Sequence, residues 1–193
     1  MPVLVCFGDC LTAREVDDKG NERLTSRIRG ALDEWIVINA GSTPTSREGV
    51  SRFQSDVLSY KPDYVTIFFG TQEACLGQGS DLSEFERNIE YMVKNLPSER
   101  VILISPSPVM NEGNFSMTNQ KIEGYADRIK HLANKLGTRH IDLWKLIREN
   151  KKSKMLYEKD GLQLNAKGYK LITKEVLNLL GRRTKFKPVI KLF

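Results

Sequence analysis

The residues best suited to chemistry lie where apolar runs end. Phe7-Gly8-Asp9-Cys10-Leu11-Thr12 closes the short apolar run Pro2 to Phe7, which is rich in β-formers and predicts a buried strand. Gly8 lets the chain turn, leaving a thiol at the strand's carboxyl end, the edge where open α/β sheets bind ligands. Cys10 is therefore a candidate nucleophile, and equally a small buried residue in an ordinary Gly-Asp turn. Two more apolar runs end in glycine loops, Ala40-Gly41-Ser42 and Gly70-Thr71-Gln72-Glu73, and Asp160-Gly161-Leu162-Gln163 precedes the last helix.

The elements that must position these loops alternate along the chain. Glu22 to Glu34 has helical spacing at Leu24, Ile28, Ala31 and Leu32; Trp35 to Asn39 reads as a second strand, and Ser46 to Ser59 as a helix broken by Pro62. Tyr64 to Phe69 is a third strand, and Asp81 or Ser83 caps a helix through Leu96. Val101 to Ser105, a long helix from Thr118 to Leu136 stopped by Gly137, a fifth strand from His140 to Leu143 and a last helix from Asn165 to Leu180 complete the series. Such alternation predicts a parallel sheet covered on both faces, a doubly wound α/β sandwich. Parallel strands put their carboxyl ends together, so the three glycine loops open on one edge and Asp160-Gly161-Leu162-Gln163 can fold over it.

At 193 residues, 40% hydrophobic and 28% charged, the chain has the composition of one globular domain. No apolar run approaches the roughly 20 residues of a membrane span. The amino terminus enters the first strand without a signal-like segment, and Cys6, Cys10 and Cys75 lack the close pairing of zinc or disulfide motifs. Both features suggest a cytoplasmic protein, with a Cys10–Cys75 redox or metal pair as an alternative. The net charge of +6 owes much to a basic tail over residues 182–193, a solvated segment without the aromatic interleaving of nucleic-acid surfaces. No nucleic-acid partner is expected.

Gly8-Asp9-Cys10-Leu11-Thr12 resembles the Gly-Asp-Ser-Leu motif that opens the SGNH, or GDSL-type, lipases and acylhydrolases. Asn39-Ala40-Gly41 is similar to their second block, Gly70-Thr71-Gln72-Glu73-Ala74 to the third, usually Gly-x-Asn-Asp, and Asp160-Gly161-Leu162-Gln163 to the last, usually Asp-x-x-His. The resemblance implies a three-layer αβα sandwich with a flavodoxin-like, doubly wound, five-stranded parallel sheet. It also implies one such domain over residues 1–181 and a small-molecule ester, thioester or acetylated-carbohydrate ligand, without cofactor or metal. By resemblance Cys10 stands for the nucleophile, Gln163 for the histidine base and Asp160 for its orienting acid. The oxyanion hole would be the N–H groups of Cys10 and Gly41 with the side chain of Gln72.

The chain departs from the pattern at three of the four name-giving positions: serine is Cys10, asparagine is Gln72 and histidine is Gln163. An amide takes no proton near neutral pH, so Gln163 leaves the site without a general base. His131 and His140 are the remaining histidines, one in a predicted helix and the other at a strand start, away from the site edge. A thiol ionises more readily than a hydroxyl, though the charge of Asp9, if close, would oppose the thiolate. The expectation is a degenerate member with little or no efficient ester hydrolysis. The alternatives are a weak cysteine-nucleophile esterase or thioesterase, or a non-catalytic binding or interaction module. The loops around Gln78-Gly79-Ser80 and from Met110 to Phe115, which would select the substrate, carry no readable code, and oligomeric state is not encoded locally.

Overall fold

The computed structural model describes residues 1–42, 45–75, 81–112 and 118–181. The Cys75 thiol, Gln78-Gly79-Ser80, residues 113–115 of the loop from Met110 to Phe115 and the basic tail lie outside the described residues.

Five strands, β1 (Val3–Gly8), β2 (Ile36–Gly41), β3 (Tyr64–Phe68), β4 (Val101–Ile104) and β5 (Arg139–Ile141), form one parallel sheet in the order β2-β1-β3-β4-β5. β1 lies between β2 and β3, so Gly8 stands level with Gly41 on one side and Phe68 on the other. That register brings three glycine-bearing loops to one edge.

The strands are apolar on both faces because each face carries a helical layer. Val5, Phe7, Ile67 and Leu103 pack beneath α3 (Ser46–Asp56), α5 (Leu82–Lys94) and α6 (Asn119–Leu136) through Phe53, Phe85, Ile89 and Ile129. Leu4, Cys6, Phe68 and Ile104 pack beneath α2 (Leu24–Ala31), α7 (Leu143–Arg148) and α8 (Ala166–Leu179) through Leu24, Ile28, Ile147, Tyr169 and Ile172. The result is the three-layer αβα sandwich expected. Among the described residues no helix is long and apolar enough to cross a membrane.

Side-chain caps set several boundaries. Asp81 starts α5 by accepting from the Glu84 N–H at 2.7 Å, Thr118 caps α6, and Gly137 ends α6 at φ 69°. The fifth strand is earlier and shorter than the sequence predicts: Asp142 caps α7 through the Lys145 N–H at 3.0 Å, so Leu143 becomes helical. α3 stops at Asp56 and gives way to a 3-10 turn over Leu58–Tyr60. Two short helices stand where loops are expected, α1 (Cys10–Ala13) and α4 (Thr71–Cys75).

Candidate active site

Gly8 ends β1 because nothing larger fits: an added Cβ would lie 2.4 Å from Thr12 Oγ1 and 2.5 Å from the Phe68 carbonyl. Asp9 follows with its side chain turned inward, fully buried, its Oδ1 accepting from the Leu11 N–H at 2.9 Å to cap α1. Burial raises the Asp9 carboxyl from 3.8 to about 8, outweighing the Leu11 hydrogen bond and the pull of Arg23. Near neutrality Asp9 is therefore mostly uncharged and opposes a Cys10 thiolate only weakly. Cys10 opens α1, exposed at the sheet edge.

Beneath α1 lies Arg23, 6% exposed, whose Nη2 donates to the carbonyls of Cys10 and Leu11 at 3.4 and 3.5 Å and to the hydroxyl of Tyr169. Tyr169 in turn donates to the Leu11 carbonyl at 3.3 Å. The cysteine turn is thus held from below by the start of α2 and by α8.

Gln72 meets Cys10 directly, its Nε2 lying 2.8 Å from Sγ. Gly41 behaves differently, because its N–H donates to Asn39 Oδ1 at 2.9 Å and its missing Cβ makes room for the backbone of Ala13, 2.3 Å from where that carbon would sit. In this state the Gly41 N–H is engaged within its own loop.

Asp160 and Gln163 share a tight turn. Asp160 Oδ1 accepts from the backbone N–H groups of Leu162 and Gln163 at 2.9 and 3.2 Å, so the acid binds the loop backbone and not the Gln163 amide. The Met110 N–H donates to the Gly161 carbonyl at 2.7 Å, which seats this turn on the loop after β4. Gln163 is exposed and, with Asp160, borders a cavity of about 410 Å³ that Arg23 also lines. His131 faces Glu86 between α5 and α6 at 3.9 Å, and half-buried His140 lines a separate cavity with Asp142 and Glu175. Neither histidine borders the cavity beside Gln163.

Sequence reasoning passed over Glu73. This buried carboxylate accepts from the Ser46 N–H at 2.6 Å and the Gly70 N–H at 3.0 Å, tying the loop that carries Gln72 to the start of α3. Burial raises its pKa. An acid directly after Gln72 at a strand end was the available signal; Arg23 and Tyr169 had none beyond Tyr169's place on an apolar helical face.

Chemically, the arrangement presents an exposed thiol with an amide donor on its sulfur, and a second amide, Gln163, beside an acid at the neighbouring cavity. The family model of GDSL-like lipases and acylhydrolases matches residues 6–171. The isoamyl acetate-hydrolyzing esterase 1 homolog of Mus musculus is 30% identical, with 97% of this chain and 84% of that protein aligned. A GDSL esterase/lipase of Arabidopsis thaliana is also 30% identical, over 91% and 84%. The crystal structure of a lipase/acylhydrolase from Enterococcus faecalis matches with a TM-score of 0.86 at 28% identity, covering 97% of this chain and all of that one (100%). An acetylxylan esterase from Geobacillus stearothermophilus shares the fold, with a TM-score of 0.75 at 19% identity over 99% and 97% of the two chains.

Proposed function

The chain belongs to the GDSL-like lipase/acylhydrolase family, and from that membership we propose that it holds an ester, thioester or acetylated carbohydrate over Cys10 with little or no efficient hydrolysis. One observation carries this reading: Gln163 stands in the last block beside an acid whose Oδ1 is committed to backbone N–H groups. An amide takes no proton near neutral pH, and the Oδ1 of Asp160 already accepts from two backbone N–H groups, which leaves a nucleophile at Cys10 without the base of a triad. Loss of the base in a hydrolytic triad costs several orders of magnitude in rate.

A second reading, a slow cysteine-nucleophile esterase or thioesterase, is favoured by the contact between Gln72 Nε2 and Cys10 Sγ. An amide donor there stabilises a thiolate, and a thiolate needs no base to attack an activated carbonyl. In either reading Cys10 and Gln72 face the ligand carbonyl, while Gly41 joins the oxyanion hole only by releasing Asn39. The working unit is one domain over residues 1–181 with a basic tail over 182–193, and its cysteine content suits the cytoplasm.

Hydrolysis of isoamyl acetate, p-nitrophenyl acetate and an acetyl thioester by the wild type and Cys10→Ala decides between the two. The first reading expects both proteins within about tenfold of the uncatalysed rate. A Cys10-dependent rate well above that would establish the second. The triple variant Cys10→Ser, Gln72→Asn, Gln163→His should gain about 100-fold or more over the wild type, the typical share of a positioned general base. A folded triple variant that gains nothing would remove the assignment of these three positions.

A further inference from the structure

The cavity of about 410 Å³ beside Gln163 is lined by four acids and four cations. Two of each are paired. Asp18 pairs with Arg14, and Glu158 pairs with Lys19 at 2.7 Å. Asp17 accepts from the Asn21 side chain at 2.8 Å and from the backbone N–H groups of Lys19 and Asn21, while Asp160 Oδ1 serves Leu162 and Gln163.

Two lining cations remain, Arg23 and Lys159, and among the described residues no carboxylate lies within 4.0 Å of either. Arg23 is the telling one. It is 6% exposed, its hydrogen bonds go only to two carbonyls and a phenol, and its Nε is buried without any partner. The Tyr169 phenol is no counter-ion, since burial pushes its pKa up to about 12, and Asp9, pushed up to about 8, is mostly neutral at pH 7. Burying a cation against neutral acceptors costs free energy that an anion would offset. The same guanidinium supports the carbonyl of Cys10, so a group bound to it lies next to the reacting turn.

We propose that this cavity is an anion subsite in which Arg23 and Lys159 take the carboxylate or phosphate of an acidic ester or thioester whose acyl carbonyl lies over Cys10. This rests on the ester-cleft reading above and narrows its ligand class. A neutral acetate ester would leave Arg23 unanswered.

Calorimetric titration of the full chain with monomethyl succinate, its neutral dimethyl ester and inorganic phosphate tests the subsite without requiring turnover. The monoanionic ester is expected to bind about tenfold or more tightly than the diester, with a preference that shrinks as salt rises. Variants of Arg23 also remove support from α1, so Lys159 carries the mutational arm: Lys159→Ala should weaken the monoester about threefold or more and Lys159→Glu further, leaving the diester unchanged. Equal affinity for the two esters, or a monoester indifferent to Lys159→Glu, overturns the anion subsite and leaves the ester cleft standing. Phosphate bound in a Lys159-dependent way while neither ester binds keeps the subsite and removes the ester cleft. Displacement of the monoester by phosphate identifies a site for either anion; phosphate without effect identifies a carboxylate site. No binding by any of the three overturns the subsite.

Discussion

Asp9 shows how one side chain at the site affects the whole chain's stability. Its pKa is raised in the folded protein, from 3.8 to about 8, so between those values the folded state holds a proton that the unfolded state has released. Stability therefore falls as pH rises through that window, and the loss is complete above about 8. Buried Glu73, also raised, adds to the same slope. Asp9→Asn keeps an oxygen for the Leu11 N–H and removes the titration. In urea denaturation across pH 4 to 9, this variant should lose much of the slope and exceed the wild type at pH 8.5 by about 1 kcal/mol or more. Parallel curves for the two proteins would show that Asp9 is ionised in the fold. At this scale the sequence was only partly legible. Cys10, Gln72 and Gln163 each sit in a short local pattern that singles them out as candidates, but Arg23 and Tyr169 meet across 146 positions of sequence. Nothing local in either residue announces the other.

Among the elements, Arg52 on α3 fixes the ends of two strands. Its Nη2 donates to the Gly8 carbonyl at 2.9 Å and its Nη1 to the Ala40 carbonyl at 2.7 Å and to Asp56 at 2.9 Å, while the guanidinium lies 4.3 Å from the Phe7 ring centroid. One side chain thus aligns the turns that lead to Cys10 and Gly41. Arg52→Met keeps an apolar stem over Phe7 but leaves both carbonyls without this donor, and should cost about 2 kcal/mol by thermal or urea denaturation. Gly41→Ala should be worse. Its Cβ would meet the Ala13 backbone at 2.3 Å, and backbone inside a strand–helix turn has little room to move. A Gly41→Ala protein with wild-type stability would mean that α1 can retreat from β2. The glycines were legible in sequence as turn signals; that they also mark close approaches between backbones emerges only once β1 and β2 are placed in register.

For the molecule as a whole, the sheet order follows from its apolar strands, and the hierarchy of stability should follow from the same cause. β1 and β3 lie inside the sheet with nearly every residue buried, and β4 is buried throughout, whereas β5 has three residues at an edge with two of them only half buried. The turn bearing Asp160 and Gln163 is tied down chiefly by backbone bonds to Met110 and Glu158 and by the exposed Lys19–Glu158 pair. The alternation of strands and helices made the fold legible, but this ranking depends on which strands end up central, and the strand order comes from packing between segments far apart in sequence. Native-state hydrogen exchange should find the β1, β3 and β4 amides opening only with global unfolding. The 158–164 turn and β5 should exchange through smaller openings, at least about tenfold faster at neutral pH. Such a turn can yield to a ligand without disturbing the Cys10 turn, which α8 and Arg23 hold from below. Equal protection in the turn and in β1 would make the site one rigid unit, and then the anionic group of an acidic ester would have to enter the 410 Å³ cavity as it stands.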